Sequence, residues 1–88
     1  MADLTYMDEA LTFLLTRAAA GYTQQNLADA TGISASKIQR LFSYQEQWKA
    51  ADVVNVAEAA GADGARVMLS ALQVAELLAS FDTSEGEK

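Results

Sequence analysis

Residues 31–42 read TGISASKIQRLF. Gly32 interrupts the helical periodicity of the residues before it, and Ser34 is placed to accept the free N–H groups of a new helix. Ile38 and Leu41 then fall three positions apart, on one side of that helix. Around them Ala35, Ser36, Lys37, Gln39 and Arg40 are small, polar or basic. Upstream, Thr23 is a fitting cap for the short segment QQNLADAT, with Leu27, Ala28 and Ala30 facing inward. Two short helices joined through ATGIS, with Gly32 permitting a tight turn, let the second cross the first and project from the body.

Working outward, the same periodicity predicts a first helix over about residues 5–20. It places Leu4, Met7, Leu11, Leu14 and Ala18 on one face, with Gly21 as its stop. A fourth helix runs from about Ala50 to Ala60, stopped by Gly61, with Val53, Val54, Val56 and Ala57 as core candidates. Its start lacks a good cap, because Lys49 is a poor N-cap residue. Asp63 caps a fifth helix over about Gly64–Ser80, and the closing DTSEGEK is polar. Pro is absent, and neither strand alternation nor an internal repeat competes with this pattern. The expected fold class is all-α.

The chain has 88 residues, enough for one domain with a modest core, and half of them are apolar. It contains no Cys and no His, which excludes a disulfide framework, a thiolate metal site, a cysteine nucleophile and the commonest general base. Asp8 and Glu9 are adjacent and so diverge on a helix, and no nucleotide-binding glycine motif occurs. The expectation is a non-enzymatic protein without cofactor or metal. No membrane-length apolar run and no signal pattern are read in the chain, so the expected location is cytoplasmic.

The net charge of −6 is unevenly placed. Between Arg17 and Lys49 stand four basic residues (Arg17, Lys37, Arg40, Lys49) and two acidic ones (Asp29, Glu46). The remainder holds two basic and ten acidic residues, so the middle of the chain is weakly basic and the flanks are acidic.

The order YTQQNLADATGISASKIQRLF, then WKAADVVNVAEAAG, then ADGARVM resembles the Cro and phage-repressor type of helix-turn-helix, also called XRE-like, over about residues 10–68. Members of that family often carry an acidic residue, a basic residue and Gly just after the recognition helix. Here Phe42, Ser43 and Tyr44 stand in those places. The resemblance implies a five-helix lambda-repressor-like domain whose third helix reads DNA. It implies that Gln24 binds a phosphate and braces that helix. It also implies that Ala35, Ser36, Lys37 and Arg40, flanked by Gln39, face the bases. The chemistry agrees: Arg and Lys donate to guanine, Gln pairs with adenine, and small side chains admit a thymine methyl. The plainer alternative is that Lys37 and Arg40 only solvate an exposed face. Ser34 is read first as a cap, whose hydroxyl can also make a contact, and Arg17, Tyr44 and Lys49 are candidates for the DNA backbone. Trp48 is read as packing over the start of the fourth helix, and Asp29 as solvated.

The fifth helix is more apolar than one buried face requires. Val67, Ala71, Val74, Leu78 and Phe81 form one stripe, and Met68, Leu72, Ala75 and Ala79 a second. One stripe is expected to pack on the domain and the other, assigned to Val67–Phe81, to form a homodimer that presents two reading helices to a palindromic site. The domain then covers residues 1–82, followed by a polar tail over 83–88. The expected function is a sequence-specific transcriptional regulator, a small phage or bacterial repressor binding double-stranded DNA without a membrane. The alternative is an acidic helical adaptor, an antirepressor or inhibitor, that binds another protein.

Overall fold

The computed structural model describes the backbone of residues 5–86 and the side chains of residues 5–81. Five helices follow one another: α1 (Tyr6–Ala18), α2 (Gln24–Thr31), α3 (Ala35–Phe42), α4 (Ala50–Ala59) and α5 (Gly64–Gly86), with no strand among the described residues. Capping chemistry sets most of the starts. Thr5 with Asp8, and Thr23 with Asn26, form reciprocal capping boxes. Ser34 accepts from the Lys37 N–H, and Asp63 accepts from the Ala65 N–H at 3.0 Å. Lys49 makes no side-chain cap bond, as expected of its type.

The turn between α2 and α3 is closed locally. Gly32 adopts φ +78°, the left-handed conformation that glycine reaches without a side-chain clash, and its N–H donates to the Ala28 carbonyl at 2.9 Å. From α4, the Asn55 amide donates to the Thr31 carbonyl at 2.9 Å and satisfies the exposed end of α2.

Leu15, Ile38, Leu41, Val53, Val56, Ala57 and Ala71 are fully buried and bring all helices except α2 to one point; Leu27 and Ala28 add α2. Helix α1 is central, touching α3, α4 and α5. Its buried side is therefore broader than one stripe and is rotated from the expected one. Ala10, Leu11, Leu15 and Ala19 are buried, Met7, Leu14 and Ala18 only partly, and Leu4 lies outside the described residues. Ala30 is exposed, and so is Val54, which the periodicity placed in the core. Val54 meets α5 closely: a Cβ added to Gly64 would stand 3.0 Å from Val54 Cα.

Helix α5 is longer than its periodicity suggested. No proline follows Ser80, and the helix continues to Gly86, through the start of the expected tail, while residues 87 and 88 lie outside the described ones. Its segment Gly64–Phe81 has mean hydropathy 1.2 over 18 residues, which does reach the length and composition of a membrane span, contrary to the reading above. Ala71 on that segment belongs to the core, and Val67, Met68, Val74 and Ala75 pack against it.

A buried polar network ties the loop after α3 to α1. The Trp48 N–H donates to Asp8 Oδ1 at 2.8 Å and its indole Nε1–H to Thr12 Oγ1 at 2.9 Å, while the Thr12 hydroxyl donates to the Asp8 carbonyl at 2.9 Å. Asp8 Oδ2 meanwhile accepts the Thr5 N–H and hydroxyl. Phe42 meets the Trp48 ring edge-on, with centroids 5.4 Å apart. At the head of the loop Tyr44 takes φ +60°, and the Gln45 N–H reaches back to the Arg40 carbonyl at 2.9 Å. This is a Schellman closure with tyrosine in the position that favours glycine.

Two stability changes follow. Thr12→Val keeps the shape of the side chain and strands the buried indole N–H, so unfolding free energy from urea titration falls by about 1–3 kcal/mol. Tyr44→Gly relieves a left-handed side-chain clash and raises it by about 1 kcal/mol; a decrease would mean that the tyrosine ring contributes more through packing than its backbone costs.

Candidate nucleic-acid interface

Successive residues of α3 turn by about 100°, so burial of Ile38 and Leu41 turns Ala35, Ser36, Gln39 and Arg40 outward, and all four are exposed. Lys37, expected to stand with them, does not. It lies on the flank facing α4, its side chain 28% exposed, with the ammonium 3.3 Å from Asp52 Oδ2 and 3.8 Å from Glu46 Oε2. Asp52 Oδ2 is buried without an aligned hydrogen bond, so the nearby ammonium is its compensation.

Arg40 is also paired. Its Nε–H donates to Glu46 Oε1 at 2.8 Å, and its side chain remains 47% exposed. That hydrogen bond is the largest influence on Glu46; desolvation opposes it, and the charges of Arg40, Lys37 and Lys49 add to it. Together they hold the Glu46 carboxyl below its ordinary value of 4.5. Glu46 is therefore ionised at neutral pH. The chain Asp52–Lys37–Glu46–Arg40 thus crosses from α4 through α3 and the loop. The acidic flank reaches α3: Asp52 comes to its side.

The other expected contact residues lie on α1, α2, the caps of α3 and α4, and the loop between those two helices. Gln24 is the first residue of α2 and exposed, where backbone N–H groups have no helical partner. It borders a shallow depression lined also by Thr16, Ala20, Tyr22 and Phe42. Ser34 is the exposed cap of α3. Arg17 lies in the last turn of α1 with its guanidinium 5.8 Å from the Phe13 ring centre. Lys49 is exposed at the head of α4, and Tyr44 is 49% exposed in the loop. Asp29 is exposed and accepts from Gln25 Nε2 at 2.9 Å.

Of the stripe assigned to subunit contact, Ala71 is wholly buried inside the chain. Val67 and Val74 pack against the core, Leu78 is half-buried, and Phe81 is 61% exposed. Leu78 and Val74 line a groove with Phe13 and Tyr44, and Leu77 beside them is 55% exposed. The other side of α5 bears Leu69 and Leu72, also largely exposed.

Glu46, Asp52, Asp8 and Thr12 carry parts of this arrangement that the sequence reading did not assign. Glu46 lies six residues beyond Arg40, outside any helical repeat, and Asp52 and Asp8 meet partners fifteen and forty residues away. Such pairings leave no local periodic signal.

No curated protein and no solved structure matched the chain. A family model described as a helix-turn-helix domain matches residues 15–72, from the end of α1 through the first turns of α5. The match spans α2, the Gly32 turn and α3, where the Cro and phage-repressor resemblance lay. The chain belongs to the helix-turn-helix domain family.

Proposed function

We propose that this protein is a sequence-specific DNA-binding transcriptional regulator, a small repressor of phage or bacterial kind that binds a palindromic site as a dimer. One observation carries the reading: α3 exposes Ala35, Ser36, Gln39 and Arg40 while its other side is sealed by Ile38 and Leu41 at 0% exposure. A short rigid helix with an arginine, a glutamine and small residues outward suits the major groove, which is about 12 Å wide. Gln24, Arg17 and Lys49 position the domain on phosphates and carry no base preference, whereas Tyr44, which lines the α5 groove, belongs to the subunit contact. For the dimer, Phe81 and Leu77 supply exposed apolar surface continuous with Leu78, Phe13 and Tyr44. Covering it with a second copy relieves that exposure and relates two α3 helices by a two-fold axis. The adaptor reading is favoured by Leu69 and Leu72, at 60% and 50% exposure, which would remain uncovered by such a dimer.

Selection of bound sequences from a random duplex pool separates the two readings. A regulator yields a two-fold consensus; an adaptor yields none. On the selected site, Arg40→Ala weakens binding by about 1–3 kcal/mol and relaxes one position per half-site, whereas Gln24→Ala weakens all sequences alike. Because Lys37 is held by Asp52, only Arg17 and Lys49 of each subunit neutralise phosphates, so the log–log salt slope has a magnitude of about 4. A slope near 10 would contradict this charge assignment.

Dimerisation is checked separately. Leu77→Asp combined with Phe81→Asp alters exposed positions only, so sedimentation reports a monomer while circular dichroism keeps its helical signal. An unchanged dimer mass would place the interface elsewhere.

A further inference from the structure

Arginine offers two edges for paired hydrogen bonds: the side edge that includes Nε and the end edge formed by the two terminal nitrogens. In this protein the Nε–H is already committed to Glu46 Oε1 at 2.8 Å. The end edge is what remains to present outward, on a side chain that is 47% exposed. Resting on the DNA-binding reading above, we infer that Glu46 is a positioning residue that locks the Arg40 guanidinium with its end edge toward the groove, making this one side chain the guanine reader of each half-site.

The support extends behind Glu46. Its second oxygen, Oε2, faces the Lys37 ammonium at 3.8 Å, and that ammonium is drawn toward α4 by Asp52 at 3.3 Å. Lys37 therefore acts through Glu46 and Arg40 instead of touching a base. Glu46 itself lies in a loop held at both ends, by the Gln45 N–H on the Arg40 carbonyl and by the two Trp48 hydrogen bonds to Asp8 and Thr12. An arginine has several rotatable bonds to order before it can pair with O6 and N7 of guanine; fixing it in advance removes that cost from binding. A carboxylate beside the groove also repels phosphate, so the same residue lowers affinity for every duplex while sharpening the choice among them.

Two substitutions separate positioning from simple charge. Glu46→Gln and Glu46→Ala both remove the negative charge, but only glutamine keeps an oxygen that accepts from Arg40 Nε. Fluorescence anisotropy is measured on the selected duplex, on the same duplex with the contacted G·C pair replaced by A·T, and on a scrambled duplex. The parent prefers the guanine site by roughly ten- to a hundredfold. Glu46→Gln keeps most of that preference, Glu46→Ala loses most of it, and both bind the scrambled duplex more tightly than the parent, to the same degree. Arg40→Ala abolishes the preference with or without the Glu46 change. Circular dichroism confirms that each variant is folded. If Glu46→Gln and Glu46→Ala have equal preference, or Glu46→Ala retains the parent's, Glu46 acts only as an opposing charge and the inference is overturned while the DNA reading stands. If the parent selects no duplex, the DNA reading fails and this inference falls with it.

Discussion

The hydrogen bonds from Trp48 to Asp8 and Thr12 are the constraint on which the loop between α3 and α4 depends. Between α3 and α4 the chain has no regular structure, and its polar groups must be satisfied as it passes over the core. One backbone and one indole N–H of Trp48 find partners on α1, and the ring then sits 8% exposed against Phe42. An aromatic residue with a polar handle serves this purpose well, since burial of the ring and satisfaction of its N–H act together. Asp8 closes its own helix start with one oxygen and holds Trp48 with the other. The N-terminus of α1 and the loop that carries Glu46 are therefore set by the same carboxylate.

That loop explains how a chain of net charge −6 keeps two cations on α3. The cations of α3 are not left bare: Lys37 is drawn to Asp52 and Arg40 to Glu46. The Arg40–Glu46 pair lies at the surface, where such a pair contributes about 0–1 kcal/mol, so its consequence here lies in orientation. The two pairings sort two cations that look equivalent in the sequence into one that is half-exposed and one that is held against α4. Tyr44 belongs to the same loop. In accepting a left-handed backbone it preserves the reversal that a glycine commonly provides, and it places an aromatic ring beside Phe13 and the α5 groove. The loop thus borders both the exposed face of α3 and the apolar surface proposed to meet a second subunit.

Much of this was legible because its causes are local. Gly32 in a left-handed turn, Ser34 and Asp63 as caps, Gly61 as a stop and Ile38 with Leu41 as the inner side of α3 all follow from residues within one or two helical turns. The succession of these signals was sufficient to determine five helices, their order, and the turn that makes α3 stand out. Periodicity is read over such distances, and helix caps act over them.

Tertiary structure decided what local pattern could not. Which side of α1 is buried depended on its having three helical neighbours, so Leu15 took the place that periodicity gave to Leu14. Whether Lys37 turns outward or toward α4 depended on Asp52, fifteen residues on, and the path of the loop depended on Asp8, forty residues back from Trp48. The apolar stripe of α5 was visible in the sequence, but only packing assigned Ala71 to the core and left Phe81 exposed. A sequence determines which faces a helix offers; which face is taken depends on the neighbours that arrive, and on which polar groups those neighbours leave to be satisfied.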